Sequence, residues 1–250
     1  MDYIEHFKVK IRKSERNKLT RENYCIPTNK PCYAVSKNLK IAKVIVENQL
    51  QKPLIAPDMY FDIPNEKYAD YEHYTDDWVK KHYSDCMENF DLNMKYFDGI
   101  NYNDFNNYLN SYVKKNKFKQ VFDLSELKDV IGVYIIVLDR YKQVYIGISN
   151  NIKRRILNHW SKKKDFDRLI YGSKDNSVIS IDSFGALDTT RVFYKESKWH
   201  QDSNELEEKY VNSFEKQYLI NRVSGGINGE VCKPIRELRL MGSINKRQLQ

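Results

Sequence analysis

Gly132-Val133-Tyr134-Ile135-Ile136-Val137-Leu138, then Asp139-Arg140-Tyr141-Lys142, then Gln143-Val144-Tyr145-Ile146-Gly147-Ile148 is the stretch that decides the fold. Its first part is an almost unbroken apolar, β-branched run, and Val144 to Ile148 is a second. The polar break from Asp139 to Lys142 between them predicts two short strands joined by a tight turn. Each strand carries a tyrosine near a glycine that a strand built only for packing would not need. Ser149 or Asn150 is expected to cap a basic helix beginning near Asn151. At about 100° per residue, Ile152, Ile156 and His159 share one face of that helix, with Trp160 and Arg155 on its shoulders and Arg154 opposite.

These residues resemble the GIY-YIG nuclease superfamily. The first half-motif is Gly132-Val133-Tyr134 and the second Tyr145-Ile146-Gly147, ten residues apart. In that family a helix after the second half-motif carries an essential arginine, often with a histidine one turn later. Arg155 and His159, eight and twelve residues after Gly147, match that pattern.

Farther along, Asp202, Ser203 or Asn204 is expected to begin a helix whose first turn is acidic, as the helix dipole prefers. Leu206, Tyr210, Val211, Phe214 and Tyr218 form an apolar arc on it, and Glu207 falls inside that arc. An ionised carboxylate on an apolar face is costly unless a cation or metal compensates it. The resemblance points to the same residue, because family members place a metal-binding glutamate early in this helix, four residues before an aliphatic position, here Val211. They follow it with an asparagine near the active site. Asn221, opening Asn221-Arg222-Val223-Ser224-Gly225-Gly226, matches, and Asn228 is its rival. A purely structural reading stays open, in which Glu207 only pairs with Arg155 and Asn221 only caps a turn.

Composition agrees with a polyanionic partner. The 250 residues hold 42 Lys/Arg against 34 Asp/Glu, a formal charge of +8. The excess is uneven. Residues 1–52 carry 12 basic and 5 acidic side chains, a net of +7, whereas residues 53–110 carry 4 and 12, a net of −8. Lys8, Lys10, Arg12, Lys13, Arg16, Lys18 and Arg21 form a dense basic cluster, to be read either as a phosphate-contacting surface or as a solvated face. The Pro-bearing segment 53–64 reads as a connector. Residues 65–97 read as a helix with an aromatic stripe, broken at Gly99, and a second helix runs through Phe105, Leu109 and Tyr112. His82 and Cys86 have the spacing of two metal ligands on one helical face, but Cys25 and Cys32 are too irregularly placed to suggest a zinc site. Val178–Ser183 and Arg191–Lys195 alternate as strands do, and one should complete the sheet. The chain shows no apolar run of transmembrane length and no secretory leader, and its four cysteines read as reduced thiols in a cytoplasmic protein.

The expected organisation is α+β: a small antiparallel three-stranded sheet flanked by helices, preceded by a mostly helical N-terminal region. The expected segments are 1–120 for DNA recognition or docking, 121–230 for the nuclease-like domain and 231–250 as a basic tail. The resemblance covers about residues 130–230. It implies a DNA endonuclease, of restriction or mobile-element type, using one Mg²⁺ or Mn²⁺ held by Glu207. Arg155 would clamp the phosphate. Tyr134 would act as base or water-orienting group with Tyr145 and His159 beside it, or the two tyrosines would exchange roles. Lowering a tyrosine pKa by ~3 units is worth about 4 kcal/mol, which Arg155, a metal and the phosphate would share. Lys153, Arg154, Lys162, Lys163 and Lys164, with the N-terminal cluster, are the expected contacts to double-stranded DNA. A homodimer would serve double-strand cleavage, and residues 53–110 could dock a protein partner. The competing reading is a regulatory binding protein that kept the fold and lost catalysis.

Overall fold

The structure, a computed structural model, describes residues 2–25, 76–171, 173–197 and 203–222. The 53–64 connector, the first part of the 65–97 helix, Cys32, Cys232, Asn228 and the 231–250 tail lie outside the described residues. In chain order the elements are β1 (Tyr3–His6), β2 (Val9–Arg12), α1 (Arg21–Tyr24), α2 (Asp76–Asp98), α3 (Tyr102–Lys115), β3 (Lys119–Val121), β4 (Gly132–Leu138), β5 (Gln143–Ser149), α4 (Ile152–Ser161), β6 (Arg191–Glu196) and α5 (Ser203–Ser213). Among the described residues no helix is long and apolar enough to cross a membrane.

An antiparallel sheet in the order β3-β6-β4-β5 forms the centre. Every residue of β4 is buried, so both faces of this strand are covered, which explains its unbroken apolar run. The hairpin turn is a single 3₁₀ turn, Asp139–Tyr141, closed by Lys142 in the left-handed conformation. Its register sets Tyr134 opposite Gly147 and Ile136 opposite Tyr145, so the two tyrosines share one face. The sheet has four strands rather than the three expected. The extra one, β3, is a three-residue edge strand with only Val121 buried, too short and too charged to show an alternating pattern.

Val178–Ser183 is not a strand, and this expectation is corrected. Side chains take the hydrogen bonds that a neighbouring strand would supply. Arg222 Nε donates to the Val178 carbonyl, the Asn89 and Asn93 amides both donate to the Ser177 carbonyl, and Ile179 N donates to Asn93 Oδ1. The segment ends in a 3₁₀ turn, Ile181–Ser183. Strand β6, by contrast, lies where the alternation of Arg191–Lys195 placed it.

Two further boundaries shift. Asn151, rather than Ser149 or Asn150, caps α4, accepting from Arg154 N at 2.9 Å. Ser149 is occupied one step earlier, bridging both backbone groups of Asn151. Helix α5 stops at Ser213, and Tyr218 of the predicted apolar arc falls in a following 3₁₀ turn. That turn leads back to the sheet, where Ile220 N donates to the Val144 carbonyl.

Residues 2–25 and the long helices share one hydrophobic core with the sheet. Phe7 accepts from Leu124 N, His6 pairs with the Thr189 carbonyl, and the His6 and Phe7 rings pack on Trp160. Tyr24 packs on Phe90 of α2, with a bidentate Arg21–Asp91 pair at the rim. Tyr112 of α3 reaches α5 through the Tyr210 carbonyl and the Ser213 hydroxyl.

Candidate active site

The site begins with a close approach that only glycine permits. A Cβ on Gly147 would lie 2.5 Å from the Tyr134 hydroxyl and 2.9 Å from the Tyr145 ring. Gly132, at φ +154°, lies at the other end of the paired segment, and a Cβ there would meet the Lys195 carbonyl at 2.1 Å. The two glycines let the backbones close around Tyr134, which is fully buried. The Tyr134 and Tyr145 ring centroids are 6.1 Å apart, and Tyr145 meets the His159 ring edge-on at 5.1 Å.

Helix α4 is aimed at this face by its cap and by Ile152 N, which donates to the Val130 carbonyl at 3.0 Å. Ile152, Ile156 and His159 are buried along one stripe, while Arg154 and Arg155 remain exposed. The Arg155 guanidinium nevertheless reaches toward both tyrosine hydroxyls. Arg154 turns away to Asn150 Oδ1. Burial would lower the Arg155 pKa, but the two tyrosines and Asp182 outweigh it and hold the cation firmly charged.

His159 bridges two partners. Its Nε2 lies 2.9 Å from the Tyr134 hydroxyl and its Nδ1 2.6 Å from Asp182 Oδ1. Asp182 sits at the end of the Val178–Ser183 segment, and the sequence reading did not single it out. The clue was present: a lone acid in an apolar run, the same feature that marked Glu207. Burial lowers the pKa of His159 and leaves the ring neutral despite Asp182. Burial alone would raise the Asp182 pKa, but His159, Lys164 and Arg155 hold it below the usual carboxylate range.

Burial drives Tyr134 well above its ordinary pKa, and the neighbouring Tyr145 adds to this, with Arg155 only partly opposing. Tyr145 is raised for the same first reason. Arg155 by itself therefore does not lower the Tyr134 pKa: a buried phenol beside a second phenol resists ionisation more than one arginine relieves, and the expected lowering rests on the metal and the phosphate.

Glu207 approaches from α5. It is buried, facing the Ile148 backbone amide and Arg155, and burial raises its pKa to about 7. A carboxylate this poorly compensated suits Mg²⁺ or Mn²⁺, which take one or two carboxylates and retain several waters. Among the described residues no three His, Cys, Asp or Glu side chains form a ready-made metal cage.

Asn221 is placed differently. Its buried amide accepts from Ile146 N at 3.0 Å and donates to the Ile146 carbonyl at 2.7 Å, bracing β5 between Tyr145 and Gly147. Both ends of the amide are thus committed to backbone. Of the expected DNA contacts, Lys162 and the seven N-terminal cations are exposed, and Lys153 is half-buried. Lys163 donates to the Arg16 carbonyl. Lys164 turns inward, 3.8 Å from Asp182 Oδ2.

Residues 130–221 match the sequence model of the GIY-YIG catalytic domain, a span that ends on Asn221. No curated protein and no solved structure gives a match. The matched span holds every residue of the tyrosine–histidine–arginine cluster together with Glu207. A domain of this kind points to a nuclease acting on DNA, and nucleases of this type generally depend on a divalent metal. With paired tyrosine strands, an arginine–histidine helix and the match across them, residues 130–221 are similar to a GIY-YIG catalytic domain, which supports membership of the GIY-YIG nuclease superfamily.

Proposed function

We propose that this chain is a metal-assisted endonuclease that hydrolyses phosphodiester bonds in double-stranded DNA, in a restriction or mobile-element role. The observation that carries the reading is the convergence of Tyr134, Tyr145, Arg155, His159 and the buried Glu207 on one face of the sheet. Arg155 holds the scissile phosphate and balances charge developing on it. Tyr134 orients the attacking water and accepts its proton, with Tyr145 packed alongside; the runner-up exchanges the two tyrosines. His159 fixes the Tyr134 hydroxyl. Asn221 acts through the backbone of β5, as a positioning residue. Mg²⁺ or Mn²⁺ held by Glu207 would supply Lewis-acid stabilisation of the phosphate and leaving oxygen.

The DNA backbone would be met by Lys153 and Arg154 of α4, by Lys162 just after it, and by Lys8, Lys10, Arg12 and Lys13 of the β1–β2 segment; the exposure of Arg154, Lys162 and the four N-terminal cations supports this reading. Cutting both strands would call for a homodimer. The test is incubation of the full-length protein with supercoiled plasmid in Mg²⁺ and in EDTA. Nicked or linear product only with the metal is the expected result, and discrete mapped termini would favour a restriction or mobile-element role. Plasmid bound but intact across metals and pH would favour a regulatory binding protein.

A further inference from the structure

We infer that Asp182 is a positioning residue for catalysis: it holds His159 in the tautomer whose Nε2 accepts the Tyr134 hydroxyl proton. The inference rests on the nuclease reading and deepens it. Asp182 Oδ1 lies 2.6 Å from His159 Nδ1, and the carboxylate can only accept there, so Nδ1 carries the hydrogen. The other ring nitrogen then has a free lone pair, and at 2.9 Å the Tyr134 hydroxyl must be the donor. Lys164, 3.8 Å from Asp182 Oδ2, steadies the carboxylate from behind.

This direction of donation matters because Tyr134 is buried and resists ionisation. Donating its own proton to His159 leaves the oxygen lone pairs of Tyr134 facing the site. As water attacks, one water proton passes to the Tyr134 oxygen while the Tyr134 proton passes to His159 Nε2. The water oxygen bonds to phosphorus, the bond from phosphorus to the leaving sugar oxygen breaks, and that oxygen takes a proton from solvent. His159 becomes an imidazolium beside the Asp182 carboxylate, then returns its proton to solvent. No free phenolate is required. The groups around His159 are Tyr134 from β4, Tyr145 from β5, Arg155 from its own helix, and Asp182 and Lys164 from the segments packed against it. Asp182 is the carboxylate among these, and the one able to anchor Nδ1.

Nitrogen-15 histidine spectra of the full-length protein read the tautomer directly, with the His159 signals assigned by their loss in His159→Gln. The expected result is the Nδ1–H form of His159 in the wild type and its loss in Asp182→Asn, whose amide can donate to Nδ1 and force the opposite tautomer. Single-turnover cleavage by Asp182→Asn should fall about 10²- to 10⁴-fold with DNA affinity unchanged, the range that removing such an anchor produces in other histidine relays. An Nε2–H tautomer in the wild type overturns the inference even if Asp182→Asn fails to fold. Wild-type cleavage rates in a folded Asp182→Asn overturn it too. A wild type that cuts no DNA sinks the nuclease reading instead, a result the cleavage arm separates from the tautomer.

Discussion

Around Asp188, a buried carboxylate accepts hydrogen bonds from Leu19 N, Gly185 N and the Tyr141 hydroxyl, at 2.7, 2.8 and 3.1 Å. Around Glu207, a carboxylate buried nearly as deeply faces one backbone amide and one arginine that also serves two tyrosines. Burial raises the pKa of both. The protein's own donors satisfy Asp188, which ties residues 2–25 to the sheet. Among the described residues Glu207 has fewer partners, the Ile148 amide and Arg155. A saturated buried acid is a structural knot, whereas an undersatisfied one is held ready for a ligand.

The largest expected effect lies at the glycine under Tyr134. In Gly147→Ala the new methyl would press on the Tyr134 hydroxyl, displacing it from His159, and cleavage should fall by three orders of magnitude or more on the order of a lost catalytic constellation. A plasmid nicking assay on folded protein checks this, and unimpaired nicking would mean that Tyr134 need not sit where it does.

The adjacent arginines sharpen the same contrast. Arg155→Ala should lose about 10²- to 10³-fold in turnover, since its charge acts on the reacting phosphate. Arg154→Ala, turned to Asn150, should only weaken binding modestly. Comparable defects in both would dissolve the facing assigned to α4.

Stability measurements set the two acids against each other with opposite signs. Asp188→Ala strands two buried backbone donors, Leu19 N and Gly185 N, each costing about 1–3 kcal/mol, while Tyr141 keeps the Leu19 carbonyl, so urea unfolding should show a loss of at least about 2 kcal/mol. Glu207→Gln should do the reverse in metal-free protein. Its folded-state pKa is raised from 4.5 to about 7, so its contribution to stability is full below pH 4.5 and disappears as pH rises through 7. Wild type at pH 8 therefore carries a buried charge that the glutamine lacks, a gain of up to about 3 kcal/mol that shrinks toward pH 5. A destabilised Glu207→Gln at pH 8 would make Glu207 a second structural knot.

The smallest effect concerns the N-terminal cations. Each of Lys10→Ala and Arg12→Ala should lower the salt dependence of DNA binding by about one unit of slope. Point substitutions are preferable to removing residues 1–120, because Asp188 and Leu124 N would lose their partners in that cut. An unchanged slope would take the β1–β2 hairpin off the DNA.

What could be read from the sequence followed local periodicity. The tyrosine hairpin, the buried face of α4 and the burial of Glu207 all depend on neighbours within a few positions, and the structure shows each. Asp182 was missed because Val178–Ser183 alternates like a strand, which makes its acid look like an ordinary outward-facing residue. The hydrogen bonds that hold this segment out of the sheet come from Asn89, Asn93 and Arg222, far away in the chain. Strand β3 escaped notice because three residues hold too little pattern. The rise of the Tyr134 pKa in the protein alone has a similar origin, since it is governed by how completely the fold encloses the ring.

The most direct measurement is single-turnover cleavage of supercoiled plasmid by Glu207→Gln in Mg²⁺, beside wild type, with folding and DNA binding verified. The account predicts a folded protein that binds DNA and leaves it intact. Cleavage at the wild-type rate would contradict it, and would return Glu207 to the structural side of the comparison with Asp188.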